Sequence, residues 1–180
     1  TVSALFSATA IEPGGSVTAN ISFTDPGADG PWTWRVVWRD GVEQTGTAST
    51  PGAIAPVHAT YPESGNYPVT VTITEQGGVA GTATATITVA NAAPRAHIAP
   101  IADGVEGGAI SLDATGSTDP EGAALLYQWE FDGAAASIGP SLAPTASVSF
   151  DDDGTYTVRL IVIDSEGAPG STTKRVGVTN

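Results

Sequence analysis

The chain contains no cysteine and no methionine, and among its 180 residues it has one lysine, Lys174, and two histidines. Without cysteine there is neither a disulfide framework nor thiol chemistry, which is unlike a typical eukaryotic ectodomain but compatible with bacterial or archaeal secretion. No apolar run is long enough for a transmembrane helix or a signal peptide, so we expect no membrane insertion. The lack of methionine indicates a processed protein or a fragment.

Positive charge is also scarce. Six Lys and Arg residues face 19 Asp and Glu residues, which gives a net charge of −13 at pH 7. Such a surface repels phosphate backbones, so we predict no nucleic-acid partner. Acidic loops suit cations instead, and the alternative is that the acids serve solubility.

Catalytic patterns are missing as well. The two imidazoles, His58 and His97, lie in strand-like segments in different halves of the chain, and no nucleophile-elbow pattern accompanies them. Paired acids for glycoside hydrolysis would need a cleft that two small domains scarcely provide. We therefore predict no catalytic residues and no enzymatic activity.

Turn formers and strand formers are abundant, and one segment is repeated. The sequence has 22 Gly and 13 Pro, with Thr and Val concentrated between them. GNYPVTVTITE at 65–75 recurs as GTYTVRLIVID at 154–164, with its Gly, its Tyr, its alternating apolar positions and its final acid all offset by 89 residues. Strand periodicity within a repeat of domain length predicts two homologous all-β domains.

The number of strands indicates the type of β fold. Each half has about seven short strands with turns every 8–12 residues, which favours an immunoglobulin-like sandwich. We predict an all-β chain of two tandem immunoglobulin-like β-sandwich domains, at 1–90 and 95–180. Residues 91–94 form a short linker, which Pro94 makes stiff.

The second half carries a recognisable series, Trp129-Glu-Phe131-Asp-Gly133 followed by Gly154-Thr-Tyr156. It resembles the PKD (polycystic kidney disease) domain family, immunoglobulin-like sandwiches found on microbial surfaces and in secreted hydrolases. The family's Trp-x-Phe-Gly-Asp-Gly block here lacks the Gly before the Asp, and in the first half Arg39 replaces that Gly. The resemblance implies PKD-type domains and a secreted or cell-surface location.

Several aromatic residues have structural interpretations. Tyr67 and Tyr156 each follow a Gly-containing bend, which predicts tyrosine corners in which the phenol bonds backbone. We expect Trp129 to lie in the core, with Trp34 as its counterpart in the first half.

Acidic residues at one end of each predicted domain suggest Ca²⁺. In an immunoglobulin-like sandwich, the linker, the loop after the second strand and the last hairpin loop share one end, and Ca²⁺ takes six to eight oxygen ligands. Some members of the family bind calcium at this end. The predicted ligands in the second domain are Asn91, Asp119, Glu121 and Asp164, with Glu166 nearby. The alternative is that Asp119 only caps its own turn. The first domain offers Asp25, Asp29 and Glu75.

Trp32, Trp34 and Trp38 lie on one face of a predicted strand. Three indoles exceed what a small core usually accommodates, so we predict an exposed patch at Trp32 and Trp38 that binds carbohydrate or protein. The alternative is that they fill the core and cover its edge.

Together these features predict a non-catalytic, extracellular structural or adhesion module that acts through protein–protein contacts. Its partner would be a surface protein or another copy of itself, as in a self-assembled surface fibre. The opening strand Thr1–Ala8 is a candidate for exchange between subunits. The alternative is an accessory region of a secreted hydrolase, which binds a carbohydrate or other polymer or acts as a spacer.

Overall fold

The computed structural model describes residues 1–27, 29–39, 41–132 and 137–180, and all regular secondary structure in them is β-strand. The all-β prediction is therefore confirmed. The sequence predicts hairpin turns at Asp40-Gly41 and Asp132-Gly133, and Asp40 and Gly133 lie outside the described residues. The chain divides into two compact units, Thr1–Asn91 and Ala92–Asn180.

The first unit consists of two sheets. The larger sheet has the strand order β2-β9-β8-β4-β5, and in the smaller one β3 pairs with β1, β6 and β7. The strands are β1 (Val2–Phe6), β2 (Ala10–Ile11), β3 (Gly15–Phe23), β4 (Trp32–Arg39), β5 (Val42–Ala48), β6 (Gly52–Ala53), β7 (Val57–Tyr61), β8 (Gly65–Thr74) and β9 (Ala80–Val89).

Alternation of residue types decides which face of each strand is buried. In β3, Val17, Ala19, Ile21 and Phe23 point inward, while the residues between them are more exposed. Because side chains alternate across a strand, this pattern places one apolar row against the larger sheet and leaves a polar row in solvent.

The second unit repeats this plan. Its larger sheet has the order β10-β16-β15-β12-β13, and β11 pairs with β14 in a two-stranded sheet. The strands are β10 (Gly104–Val105), β11 (Ile110–Asp113), β12 (Leu126–Phe131), β13 (Ile138–Ser141), β14 (Thr145–Val148), β15 (Gly154–Ile163) and β16 (Pro169–Thr179). As predicted, Trp129 is in the core, with 1% of its surface exposed.

The sequence pattern predicts strands at Ala96–Ile101 and Ile54–Tyr61; both differ from the structure, and proline accounts for both differences. Residues 96–101 form no strand; this segment is attached by an Arg95–Thr118 bridge and by an Ala99 N–H that donates to Asp113. Pro100 lacks the N–H that a longer ladder would need. The strand expected from Ile54 begins at Val57, directly after Pro56.

The opening segment is part of its own unit. β1 pairs antiparallel with β3 over five residues, and Val2, Ala4 and Phe6 pack against the core. Exchange of this strand between subunits stays a prediction.

Strand register identifies equivalent positions in the two units. Trp129 pairs with Leu160, and Val36 pairs with Val71, which is the repeat partner of Leu160. Val36 therefore holds the position of Trp129, and the prediction that Trp34 is its counterpart is wrong. By the same register, Trp38 on β4 corresponds to Phe131 on β12. The buried indole of Trp38 therefore lies one inward-facing position further along its strand than the indole of Trp129 does.

Candidate functional site

The predicted tryptophan patch is not on the surface. Trp38 is 0% exposed and Trp32 is 3% exposed, because both point toward the core with Val36. The Trp38 indole N–H donates to Gln44 Oε1 at 3.2 Å, so its polar atom is satisfied inside the sandwich. The prediction that Trp32 and Trp38 form an exposed binding patch is therefore wrong, and the alternative role in the core applies.

Trp34 is the partly exposed indole of this strand. It lies at the margin of the core, over Gly46 on the edge strand β5, and a Cβ on Gly46 would overlap its ring. Glycine in an edge strand is commonly covered by a cross-strand aromatic in this way.

Replacing Gly46 with alanine should displace the Trp34 ring and shift the tryptophan fluorescence to the red, with a loss of about 1–3 kcal/mol in stability from overpacking. The matched control is Gly77→Ala, where an added Cβ meets nothing closer than 3.5 Å. Urea unfolding followed by fluorescence measures both. Equal stability of the two variants would contradict the packing described.

The two histidines are far apart in the chain and exposed. His58 lies on β7 of the first unit, and His97 belongs to the second unit. The His58 carbonyl accepts a bond from the Gln44 side-chain amide at 3.1 Å.

The acidic turn of the second unit is built around Asp119. Its Oδ1 accepts bonds from the backbone N–H groups of Glu121, at 3.0 Å, and Ala123, at 2.9 Å. This arrangement fits the turn-capping role that the sequence left open. Its other oxygen, Oδ2, is buried and has no hydrogen-bond partner among the described residues.

In Glu121, as in Asp119, only one of the two carboxylate oxygens is hydrogen-bonded. Its Oε1 accepts a bond from the Ala92 N–H at 2.8 Å, while Oε2 is buried without a hydrogen-bond partner among the described residues. A buried carboxylate oxygen without a donor is costly, so each of the two requires a further partner, either a hydrogen-bond donor such as water or a cation.

Asp164 directly follows β15 and is buried, with 4% of its surface exposed. Its Oδ1 accepts bonds from the N–H groups of Glu166 and Ala168, both at 2.9 Å, in the same i+2 and i+4 pattern as Asp119. Asn91 is the last residue of the first unit, whereas the other three predicted ligands lie in the second. In the described parts of the chain, no three His, Asp or Glu side chains form a group that could hold a metal ion.

The corresponding Asp-Pro turn of the first unit is closed by an indole. Asp25 Oδ2 accepts a bond from Trp32 Nε1 at 2.9 Å, and Oδ1 accepts one from the Gly27 N–H at 3.0 Å. By register, Leu125 occupies the position of Trp32 in the second unit and cannot donate. Glu75 lines the same surface hollow as Asp25, while Asp29 is exposed. In the first turn both oxygens of Asp25 therefore accept a hydrogen bond, whereas in the second turn Asp119 Oδ2 has no donor among the described residues.

Both predicted tyrosine corners are present. The Tyr156 hydroxyl donates to the Asp152 carbonyl at 2.9 Å, and the Tyr67 hydroxyl donates to the Glu63 carbonyl at 3.0 Å. The Tyr156 ring stacks on Phe150 with centroids 4.0 Å apart. Desolvation, and then nearby carboxylates led by that of Asp152, raise the pKa of the Tyr156 phenol.

Removing this hydroxyl in Tyr156→Phe should lower the stability of the second unit modestly, because one hydrogen bond is lost while the ring stack remains. Thermal unfolding of the second unit measures the loss, with Tyr127→Phe on β12 as a control for deleting a phenol. A Tyr156→Phe variant no less stable than the control would show that the bend does not depend on this bond.

The comparisons with known proteins agree with this architecture. The pattern of the PKD domain family matches residues 2–89 and again 91–179. The chain belongs to the PKD domain family. The predicted tandem PKD-type immunoglobulin-like sandwiches are thus confirmed, and the large aromatics and tyrosine corners described above are parts of that scaffold.

Two relatives and one solved structure illustrate the similarity of these PKD domains to known proteins. A microbial collagenase from Vibrio alginolyticus is 35% identical over 92 residues, which are 51% of this chain and 11% of the collagenase. A dyslexia-associated protein KIAA0319 homolog from Rattus norvegicus is 32% identical over 127 residues, which are 63% of this chain and 11% of that protein. The PKD domain of the human receptor SorCS2 is 22% identical, with a TM-score of 0.39, covering 50% of this chain and 71% of that one.

The chain therefore spans about a tenth of the length of each relative. The described residues contain no helix that could span a bilayer.

Proposed function

We propose that this tandem PKD chain is a non-catalytic, extracellular structural or adhesion module that acts through protein–protein contacts. The observation that carries the proposal is that two PKD domains account for nearly the whole chain, at 2–89 and 91–179. Domains of this kind are typically modules rather than enzymes. A role as subunit of a surface fibre belongs to the same proposal.

The outer face of the larger sheet in the first domain supports a role in contacts. Threonines on β8 and β9 stand side by side there, Thr70 opposite Thr84 and Thr72 opposite Thr82. Cross-strand threonine pairs form a regular surface of hydroxyl and methyl groups on a rigid sheet. Such a face offers hydrogen bonds without the cost of desolvating charge, which suits a protein partner or a carbohydrate.

The test is binding of the fluorescently labelled chain to the surface of the cells that naturally produce it. We expect binding to be lost when the cells are first treated with protease and kept when they are treated with glycosidases. Loss after glycosidase treatment alone would contradict a protein partner.

The second candidate function is an accessory region of a secreted hydrolase, and the similarity to the microbial collagenase favours it. This function requires that the chain sediment with insoluble collagen, chitin or cellulose. Variants of Trp32 or Trp38 cannot test it because both side chains are buried. Thr72→Ala on the threonine face should weaken such binding, with Thr60→Ala on β7 as the control. Absence of sedimentation with all three polymers would exclude this function.

Calcium binding by the second domain belongs to the proposed function. The buried Asp119 Oδ2 and Glu121 Oε2 atoms, which have no hydrogen-bond donor among the described residues, fit a hard cation. Backbone carbonyls and water would complete the set, and the participation of Asp164 as a ligand stays a prediction. The ion would balance the buried charge and stiffen the turn. The participation of Asn91 stays a prediction.

A further inference from the structure

Strand β5 (Val42–Ala48) forms one edge of the larger sheet in the first domain. It pairs with β4 on one side, and on the other side no backbone group of these seven residues has a hydrogen-bond partner within the described parts of the chain. An edge of this kind presents alternating N–H and C=O groups that can bond to another strand.

This edge lacks the usual protection against pairing. It contains no proline and no lysine, and its one charged residue, Glu43, is paired with Arg35. The exposed side chains toward its middle and end, Thr45 and Thr47, are short. Natural proteins usually block long edges with proline, lysine or a bulge. The ladder between β4 and β5 has one register irregularity, between Val37 and Arg39 at the start of β5, and residues 43–48 are regularly paired. This regular stretch indicates a place for a partner strand.

The equivalent edge of the second domain is protected. Strand β13 (Ile138–Ser141) has four residues, and its pairing with β12 is interrupted by a bulge between Tyr127 and Trp129. It also contains Pro140, which cannot donate a hydrogen bond. Because the two domains share one scaffold, the open edge of the first is a feature of its sequence rather than of the fold.

We propose that β5 pairs antiparallel with β5 of a second copy of this chain, with Thr45 at the two-fold axis. The strand is self-complementary in this arrangement, because Thr45 faces Thr45 and Glu43 faces Thr47 of the other copy. No carboxylates oppose each other, and the threonine pair is a favourable cross-strand contact. The inference rests on the proposed role in protein–protein contacts and names one partner for it.

The first experiment compares self-association of the wild-type chain, Thr45→Lys and Thr33→Lys by analytical ultracentrifugation. Thr33 is exposed on β4, one strand in from the edge and opposite Thr47, so its variant carries the same change of charge but leaves the sequence of β5 intact. We expect the weight-average mass of the wild type and of Thr33→Lys to rise toward that of a dimer with concentration, and Thr45→Lys to remain monomeric. A monomeric wild type, or equal behaviour of the two variants, would overturn the pairing.

A second experiment uses the absence of cysteine. Facing residues in an antiparallel ladder have Cα atoms roughly 4.5–5.5 Å apart, within the reach of a disulfide. Mild oxidation should therefore link Thr45→Cys into a dimer at least tenfold faster than Thr33→Cys. Equal rates would overturn the proposal. If β5 pairing fails while protease-sensitive cell binding is observed, the role in protein contacts stands and only the partner is wrong.

Discussion

Replacing Trp38 with alanine should lower the free energy of unfolding of the first domain by about 3–5 kcal/mol. The side chain is fully buried, its ring meets Phe6 edge-on at 6.2 Å between centroids, and its N–H is bonded to Gln44. The substitution removes a large apolar volume that the two sheets cannot fill without moving, and it leaves the Gln44 amide oxygen without its donor.

Urea unfolding followed by circular dichroism measures this loss, with the second domain as an internal reference because it should unfold unchanged. Trp34→Ala is the matched control, since that indole is partly exposed and should cost less. A surface residue would change the free energy of unfolding by less than about 0.5 kcal/mol. Such a small change in Trp38→Ala would contradict the burial of this side chain and support the predicted exposed patch at Trp32 and Trp38.

Saturating Ca²⁺ should raise the melting temperature of the second domain. At a free concentration 100 times the dissociation constant, ligand binding stabilises a domain by about 2.7 kcal/mol. For a domain of this size, each kcal/mol shifts the melting temperature by about 4–8 °C, so the expected rise over a sample in EDTA is about 10–20 °C.

The decisive variant is Asp119→Asn. Its amide oxygen can still accept the two backbone bonds that Asp119 Oδ1 makes, but the remaining position becomes a donor and loses its charge. The variant should therefore fold and lose the response to Ca²⁺. Asp25→Asn makes the same change in the first domain, where Trp32 already satisfies the carboxylate, and should keep the response. Identical melting curves of the wild type in Ca²⁺ and in EDTA would exclude the ion.

The tyrosine corners and the all-β fold were predictable because the interactions behind them are local. Each phenol bonds a carbonyl a few residues upstream, so the spacing of Gly and Tyr in the sequence nearly determines the contact. Alternation within β15 likewise determines that Val158, Leu160 and Val162 share the inner face.

Which of the three tryptophan side chains are buried was not predictable from the pattern of the strand alone. A period of two shows that Trp32, Trp34 and Trp38 share a face, but their exposure depends on the opposite sheet and on side-chain partners in the preceding turn and the following strand. Gln44 satisfies Trp38, and Asp25 satisfies Trp32. Pairing with β8 and β15 establishes the register in which Val36 is the equivalent of Trp129.

The difference in hydrogen bonding between Asp25 and Asp119 was not predictable from the sequence for a similar reason. Both are Asp-Pro turns in the sequence, and the difference lies in a residue that follows each turn, a donor at Trp32 and an apolar side chain at Leu125. The contrast between the edges β5 and β13 also needs strand order, which local patterns do not show.

The central claim is that this PKD chain works outside the cell as a module for contacts with other proteins. The most direct measurement is immunogold labelling of intact, unpermeabilised cells that naturally produce it, with an antibody raised against residues 1–180. We expect gold on the outer surface or on material released from it. Gold that appears only after the cells are opened would contradict this account.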